Sequence, residues 1–233
     1  MKRNFQNISL GIMLFAVLLI LLYNIYRWVD YPKIKSINCL KGYSQKELIF
    51  FTEVGFLFQD KACKWEEDIL ISLKGEPFKE DESIIDSIVQ ELSPLIYPVK
   101  ISKTNGIGNL VVNFTKDTID RQLMGFTDTK KMSFMGVISQ IEMDIFSKVT
   151  GQARQACIRH EFLHALGLEH PIHNNTGTII ESRLDYINFS DSVKLFRYSA
   201  LDKSSLKILY SDCLPAGLKK KTFVKEIGLK KEK

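Results

Sequence analysis

Apolar positions change their spacing several times between residues 48 and 94, and each change marks a different predicted element. Residues 48–56 form an apolar segment that we predict to be helical. Residues 68–73 predict a strand that ends at Gly75. Over residues 80–93 apolar side chains recur at helical spacing, so a helix is predicted there, and Pro94 stops it.

Two short strands, a longer strand and a long helix are predicted next. Residues 99–102 and 110–114 are predicted to be strands joined by the Asn105-Gly106 turn. Residues 137–145 alternate apolar and polar side chains, which predicts a half-buried strand. A helix is predicted for residues 152–166. This mixture of elements predicts an α+β fold.

The last part of the chain is predicted to be loop-rich before one more helix. Residues 171–200 show no regular apolar spacing. Asp202 is a suitable N-cap. The helix after it would carry Leu206, Leu209 and Tyr210 on one face.

Residues 4–26 contain no charged side chain, and residues 11–22 are apolar throughout. A charge-free stretch of about 20 residues can cross a bilayer as a helix. Lys2 and Arg3 precede it as in a signal sequence, and no small-residue cleavage site follows it. We therefore predict an uncleaved, single-pass membrane anchor over residues 1–30, with a cleaved signal peptide as the alternative.

Basic residues are nearly balanced on the two sides of this segment, so the positive-inside rule alone does not orient it. Because the start resembles a secretory signal, we expect the N-terminus inside. The rest of the chain would then be extracytoplasmic, in a periplasm or at a cell surface.

The chain has 233 residues and a net charge of +5. The part after the anchor is long enough for one domain with a sizeable core. Much of the positive charge lies in residues 219–233, which we expect to be a solvated basic tail. No basic stripe interleaved with aromatic residues is present, so we expect no nucleic-acid partner.

The four cysteines allow three pairings, which the sequence leaves open. Cys39 with Cys63 and Cys157 with Cys213 would make two disulfides. Alternatively, Cys157 is a buried thiol on the predicted long helix.

Residues 160–170 read HEFLHALGLEH, which matches the pattern HExxHxxGxxH. On a helix, His160 and His164 lie one turn apart on the same face, so both can reach one metal ion. Glu161 can act as general base. Gly167 permits a turn that returns His170 as a third ligand. The pattern predicts one catalytic Zn²⁺ with an open fourth position.

This motif resembles that of the metzincin clan of zinc peptidases, and Pro171 after the third histidine is most similar to the serralysin-type branch. The chain has no glycine-rich calcium repeats and no Met after Met143, so the Met-turn of the clan lacks its methionine. Lys194 or Leu195 would stand at that place. Residues 45–218 also show a weaker similarity to a bacterial domain family of unknown function with a zincin-like layout.

The resemblance implies a zincin-like α+β domain with a small twisted mixed sheet, a backing helix and an active-site helix. We expect a stem over residues 31–66 and the catalytic domain over residues 67–218. The strand at 137–145 would be the edge that pairs with extended substrates, or an ordinary sheet strand. Tyr186 and Tyr198 are candidates by position for a further ligand or oxyanion donor, but a role as a core or surface residue is the favoured interpretation of each.

The implied function is a membrane-anchored zinc metallopeptidase acting on peptides or proteins. His160, His164 and His170 would hold the metal, and Glu161 would be the base. The alternative is a catalytically inactive zincin-like binding module of the cell envelope. Metal-dependent hydrolysis of a non-peptide amide is a third interpretation.

Overall fold

The computed structural model describes residues 15, 17–21, 32–56, 60–116, 124–148, 150–172, 176–181 and 197–228. The chain divides into two units, residues 1–31 and residues 32–233. In the first unit, residues 15 and 17–21 are helical and exposed, and the rest of the predicted anchor lies outside the described residues. Within the described part of the chain, no helix combines the length and apolarity needed to cross a membrane.

The second unit contains a six-stranded, mostly parallel sheet. Its strands are β1 (Lys64–Trp65), β2 (Ile69–Gly75), β3 (Ile101–Lys103), β4 (Leu110–Thr115), β5 (Gly125–Met132) and β6 (Val137–Phe146). The order is β1-β6-β4-β2-β3, and β5 also pairs with β6. Only the β5–β6 pair is antiparallel among the described strands. With the helices below, this confirms the predicted α+β fold.

Among the described residues of the second unit, the α-helices that accompany the sheet are α1 (Gln45–Val54), α2 (Lys79–Leu92), α3 (Gly151–Ala165), α4 (Ala200–Leu209) and α5 (Lys220–Glu226). The apolar patterns predicted α1, α2 and α3 correctly to within a few residues. Asp202 is not the N-cap of α4. Ser199 takes that position, and Asp202 is the third helical residue. The Asp202 carboxylate accepts a hydrogen bond from the Ser199 backbone N–H.

The predicted strands are confirmed, but their places in the sheet differ from expectation. β6 alternates fully buried Ile141, Met143 and Ile145 with half-buried residues. It pairs with β4 on one side and β5 on the other, so the expectation that it is an edge strand is wrong. β5, which we did not predict, pairs among the described strands only with β6. β3 and β4 are separated by β2.

One hydrophobic core joins the helices to the sheet. It includes Phe51 of α1, Ile71 of β2, Met143 of β6, and Phe162 of α3. The segment expected to be a stem therefore contributes to this core. So does part of the expected solvated tail, because α5 buries Phe223, whose ring lies 5.2 Å from that of Phe51.

The disulfide pairing also differs from the one proposed from the sequence. Cys39 is bonded to Cys213, and their Cα atoms are 6.5 Å apart. Cys63 and Cys157 are both buried, and neither belongs to a disulfide. The alternative interpretation of Cys157, a buried thiol on the long helix, is confirmed. The bond joins the first residues of the second unit to the turn after α4.

A buried ion pair links α3 to α2. The guanidinium of Arg154 donates from Nε to Oδ1 of Asp81 at 2.6 Å and from Nη2 to Oδ2 at 2.9 Å. Both side chains are almost fully buried. Asp81 also accepts the Phe78 backbone N–H at the start of α2. The helix that carries the histidine motif is therefore fixed to its neighbour by directed bonds as well as by apolar contacts.

Candidate metal centre

The structure brings the three motif histidines together at the end of α3. His160 and His164 lie one helical turn apart, and their Nε2 atoms are 3.1 Å from each other. The ring of His170 lies 5.0 Å from that of His160 and 4.5 Å from that of His164, centroid to centroid. One potential ligand atom from each residue lies within 4.8 Å of the others, so the cluster can hold a metal ion.

Each histidine is oriented by a backbone carbonyl at its Nδ1 atom. His160 Nδ1 lies 2.7 Å from the carbonyl oxygen of Ile179. His164 Nδ1 lies 2.8 Å from that of Leu168. His170 Nδ1 lies 3.0 Å from that of Ile180. Because a carbonyl oxygen only accepts, the proton of each neutral ring resides on Nδ1, and each Nε2 presents a lone pair.

Three converging lone pairs repel one another, and a cation between them relieves this repulsion. The same arrangement of Nδ1–H groups on carbonyl oxygens is the usual support for metal-bound histidine. The sequence could not predict that the carbonyl oxygens of residues 179 and 180 contact these rings, since every residue has a backbone carbonyl. The donor set and its orientation fit a metal ion that accepts imidazole nitrogen.

Burial favours the neutral form of two of these rings, those of His160 and His164. Desolvation lowers the pKa of His160 to about 4, and the side chain is 2% exposed. Burial also lowers the pKa of His164 well below its ordinary value, with smaller contributions from His160 and His170. A neutral imidazole is the form that binds a metal ion, so no proton must be displaced from Nε2 of these two residues at neutral pH.

Gly167 makes the turn that returns His170 to the helix end. Its φ of +94° lies in the left-handed region. A Cβ atom at this position would overlap the carbonyl oxygen of Cys63, so a side chain is excluded as well as disfavoured. Beyond the turn, the Glu169 N–H donates to the carbonyl of Val54 at 2.7 Å. The predicted turn at Gly167 is confirmed.

Glu161 follows the first histidine and lies beside β5. Its side chain is 5% exposed, and its Oε2 accepts a 2.7 Å hydrogen bond from the hydroxyl of Thr127. Gly125 permits this approach, since a Cβ there would lie 2.9 Å from Cγ of Glu161 and 2.8 Å from Sγ of Cys157. Sequence reasoning missed Thr127 because it missed β5.

Two buried carboxylates, those of Glu181 and Asp202, accept hydrogen bonds from the segment 176–181. This segment supplies two of the three carbonyl groups that the motif histidines contact. Glu181 accepts the N–H of Thr176 at 3.1 Å and that of Gly177 at 3.3 Å. Asp202 accepts the N–H of Ile179 at 3.1 Å. Burial raises the pKa of Asp202, although its hydrogen bonds act in the opposite direction. Neither residue was assigned to the site from the sequence.

Tyr198, the tyrosine candidate that the structure describes, does not join this cluster. The hydroxyl of Tyr198 donates to the carbonyl of Arg159 at 3.2 Å, and the ring is buried. Burial raises the pKa of this hydroxyl well above its ordinary value. Tyr198 is therefore a core residue here. Tyr186 and the Met-turn candidates, residues 192–195, lie outside the described residues.

In comparisons with known proteins, no family model matches this chain, and no curated protein matches it either.

Proposed function

We propose that this chain is a membrane-anchored, zinc-dependent metallopeptidase of metzincin type. The observation that carries the proposal is the cluster of three histidines, which have potential ligand atoms within 4.8 Å of one another and an Nδ1 atom beside a backbone carbonyl oxygen in each case. Two nitrogen ligands of a tetrahedral zinc ion lie roughly 3.3 Å apart, given Zn–N distances of about 2.0–2.1 Å. The separation of 3.1 Å between Nε2 of His160 and His164 is close to this value.

The chain supplies a base next to these ligands. Zinc, when bound, supplies Lewis acidity toward a water molecule and a substrate carbonyl. Glu161 accepts the proton of the attacking water and passes it to the departing amine. Thr127 holds one carboxylate oxygen of Glu161 through its 2.7 Å hydrogen bond and so orients the carboxylate that takes this proton. A purely structural metal site has no use for such a base.

The order of elements supports the same proposal. The antiparallel strand β5 pairs, among the described strands, only with β6 and lies beside the carboxylate of Glu161. Exposed backbone groups of an edge strand bind extended peptides by adding a strand to the sheet. We therefore assign substrate alignment to β5, which replaces β6 in the role expected from the sequence.

The membrane anchor and extracytoplasmic location belong to the proposal too. They are supported by the charge-free residues 4–26 and the secretory-like start of the chain. One sequence observation favours a second candidate, a catalytically inactive zincin-like binding module. The methionine of the Met-turn is missing, and Lys194 or Leu195 stands at its place.

The test is cleavage of a mixed peptide library by the purified full-length chain in detergent and zinc, beside Glu161→Ala. We expect both proteins to bind one zinc ion per chain and only the parent to cut. If both bind zinc and neither cuts, the binding module is favoured. If Glu161→Ala cuts as fast as the parent, the role of Glu161 is wrong. A His164→Ala variant provides the matched control without one of the metal ligands.

A further inference from the structure

Asp202 is a buried carboxylate that neither ligates the metal nor acts as the base. It is fully buried near the start of α4. Its Oδ2 accepts the N–H of Ile179 at 3.1 Å and the N–H of Ser199 at 2.8 Å. Burial of a carboxylate in the core is unfavourable unless directed donors compensate it. The bond to Ile179, 23 residues earlier in the chain, is not needed to cap a helix.

The segment that Asp202 holds is the one that orients two histidines. The carbonyl of Ile179 accepts from Nδ1 of His160, and the carbonyl of Ile180 accepts from Nδ1 of His170. Burial, the larger effect, raises the pKa of Asp202, whereas the backbone N–H groups of Ile179 and Ile180 lower it. Ile179 therefore has its N–H toward Asp202 and its carbonyl toward Nδ1 of His160.

We propose that Asp202 is a positioning residue for the metal centre, acting on His160 and His170 through the backbone of Ile179 and Ile180. The bond from the Ile179 N–H to Asp202 fixes the backbone at this residue, and with it the direction of the two carbonyl groups that these histidines contact. The carboxylate thus fixes the ring orientation of two ligands without touching either. This inference rests on the proposed function for the identity of the metal as zinc, whereas the hydrogen-bond path is independent of it.

His164 provides an internal control for the inference. Its Nδ1 is bonded to the carbonyl of Leu168, in the turn after α3, and not to the segment 176–181. Loss of Asp202 should therefore disturb two rings and leave the third. A general loosening of the core would affect all three.

Ser199 provides the matched control variant. Its hydroxyl accepts the N–H of Asp202 at 3.1 Å, and its own N–H donates to the carboxylate. Ser199→Ala removes the hydroxyl half of the cap and keeps the bond between Asp202 and Ile179. Asp202→Asn keeps the shape of the side chain but places an amide donor among N–H donors. It therefore weakens the hydrogen bond from the Ile179 N–H with little change in volume.

The experiment compares full-length parent, Asp202→Asn, Asp202→Ala and Ser199→Ala in detergent. The Nδ1–H resonances of ¹⁵N-labelled histidines are recorded with and without zinc, and zinc affinity is measured by chelator competition. We expect the His160 and His170 resonances to shift and exchange faster in both Asp202 variants, and that of His164 to stay. Zinc affinity should fall about 10–100-fold in Asp202→Ala, as for other partners of metal ligands. Ser199→Ala should match the parent.

The inference is overturned if Asp202→Asn leaves all three resonances in place, or if it moves that of His164 as much as the others. It is also overturned if Asp202→Ala and Ser199→Ala lose the same affinity. If Asp202→Ala does not fold, Asp202→Asn decides. A parent chain that binds no zinc contradicts the proposed function, while the resonances of the metal-free chain still test the path from Asp202.

Discussion

The hydroxyl of Thr127 lies 2.7 Å from Oε2 of Glu161, so strand β5 makes a direct hydrogen bond to the proposed general base. Thr127 Oγ1 also lies 3.2 Å from the Glu161 backbone carbonyl. A hydroxyl has one proton to donate, and the charged carboxylate is the stronger and closer acceptor. The strand proposed to align the substrate therefore also sets the direction of the base.

The change Thr127→Val removes this hydrogen bond with almost no change in shape. We expect kcat/KM for a cleaved peptide to fall about 10–100-fold, the usual effect of losing such a supporting partner. Thr127→Ser keeps the hydroxyl and should retain activity within a few-fold. Zinc content, measured by mass spectrometry of the purified proteins, should equal that of the parent in both. Equal activity of the valine and serine variants would contradict the assigned role.

The change Gly167→Ala tests the turn that returns His170. A left-handed conformation costs a residue with a side chain about 1–2 kcal/mol. The overlap of the new Cβ with the carbonyl oxygen of Cys63 adds to this, so we expect a loss of more than about 2 kcal/mol in the free energy of unfolding. Denaturant titration of the metal-free protein measures it.

Gly151→Ala is the control for this substitution. Gly151 also has a positive φ, +61°, but a Cβ there would meet nothing within 4 Å. It should show only the conformational cost of about 1 kcal/mol. If both substitutions lower the free energy of unfolding equally, the overlap with Cys63 contributes nothing to the loss in Gly167→Ala. Zinc affinity should fall in Gly167→Ala alone, because only that turn positions a ligand.

The sequence predicted the histidine cluster because the spacing of its members is a property of one helix and one turn. Helical periodicity alone places His160 and His164 on the same face, and a glycine at position 167 indicates the turn. The apolar patterns of β2, α2 and β6 are likewise local. These parts of the fold and of the candidate site can be predicted without knowing what packs against them.

The remaining parts depend on contacts between distant segments. β5 has the sequence GFTDTKKM, which lacks an apolar alternation because half-buried or exposed polar residues occupy five of its eight positions. Thr127 and Asp202 acquire their roles only when the chain places them against Glu161 and Ile179. α5 was missed because one buried aromatic residue, Phe223, stands among lysines. No local pattern carries this information.

The Arg154–Asp81 pair predicts a large effect from a single substitution. Arg154→Met leaves the Asp81 carboxylate buried without its guanidinium partner, and such losses cost about 3–5 kcal/mol. Arg154→Met combined with Asp81→Leu should be less destabilised than Arg154→Met alone, because no buried charge is left. Equilibrium unfolding in urea measures both.

The exposed pair of Lys116 and Glu76 is the control for the buried one. Both side chains are largely exposed, at 75% and 77%. Lys116→Met should leave the unfolding midpoint unchanged, since solvent screens such pairs. A double variant at Arg154 and Asp81 that is no more stable than the single variant would show that the lost stability comes from packing of the Arg154 side chain.

Metal removal should make stability depend on pH between about 6.5 and 4. In the metal-free protein, burial lowers the pKa of His160 to about 4, whereas the unfolded chain titrates near the ordinary value of 6.5. Between these values the unfolded state binds more protons than the folded state. The stability associated with neutral His160 is therefore complete above about pH 6.5 and is lost as the pH falls toward 4. For this residue alone the loss is about 3 kcal/mol.

Urea unfolding of chelator-treated protein at several pH values measures this dependence. We expect His160→Gln to reduce the slope of unfolding free energy against pH in this window, because the glutamine does not titrate. With zinc in excess, the parent should be stabilised at pH 7 and should release zinc as the pH falls, since protons compete for the same Nε2 atoms. A slope that is the same in the parent and in His160→Gln would show that His160 is not the group that titrates.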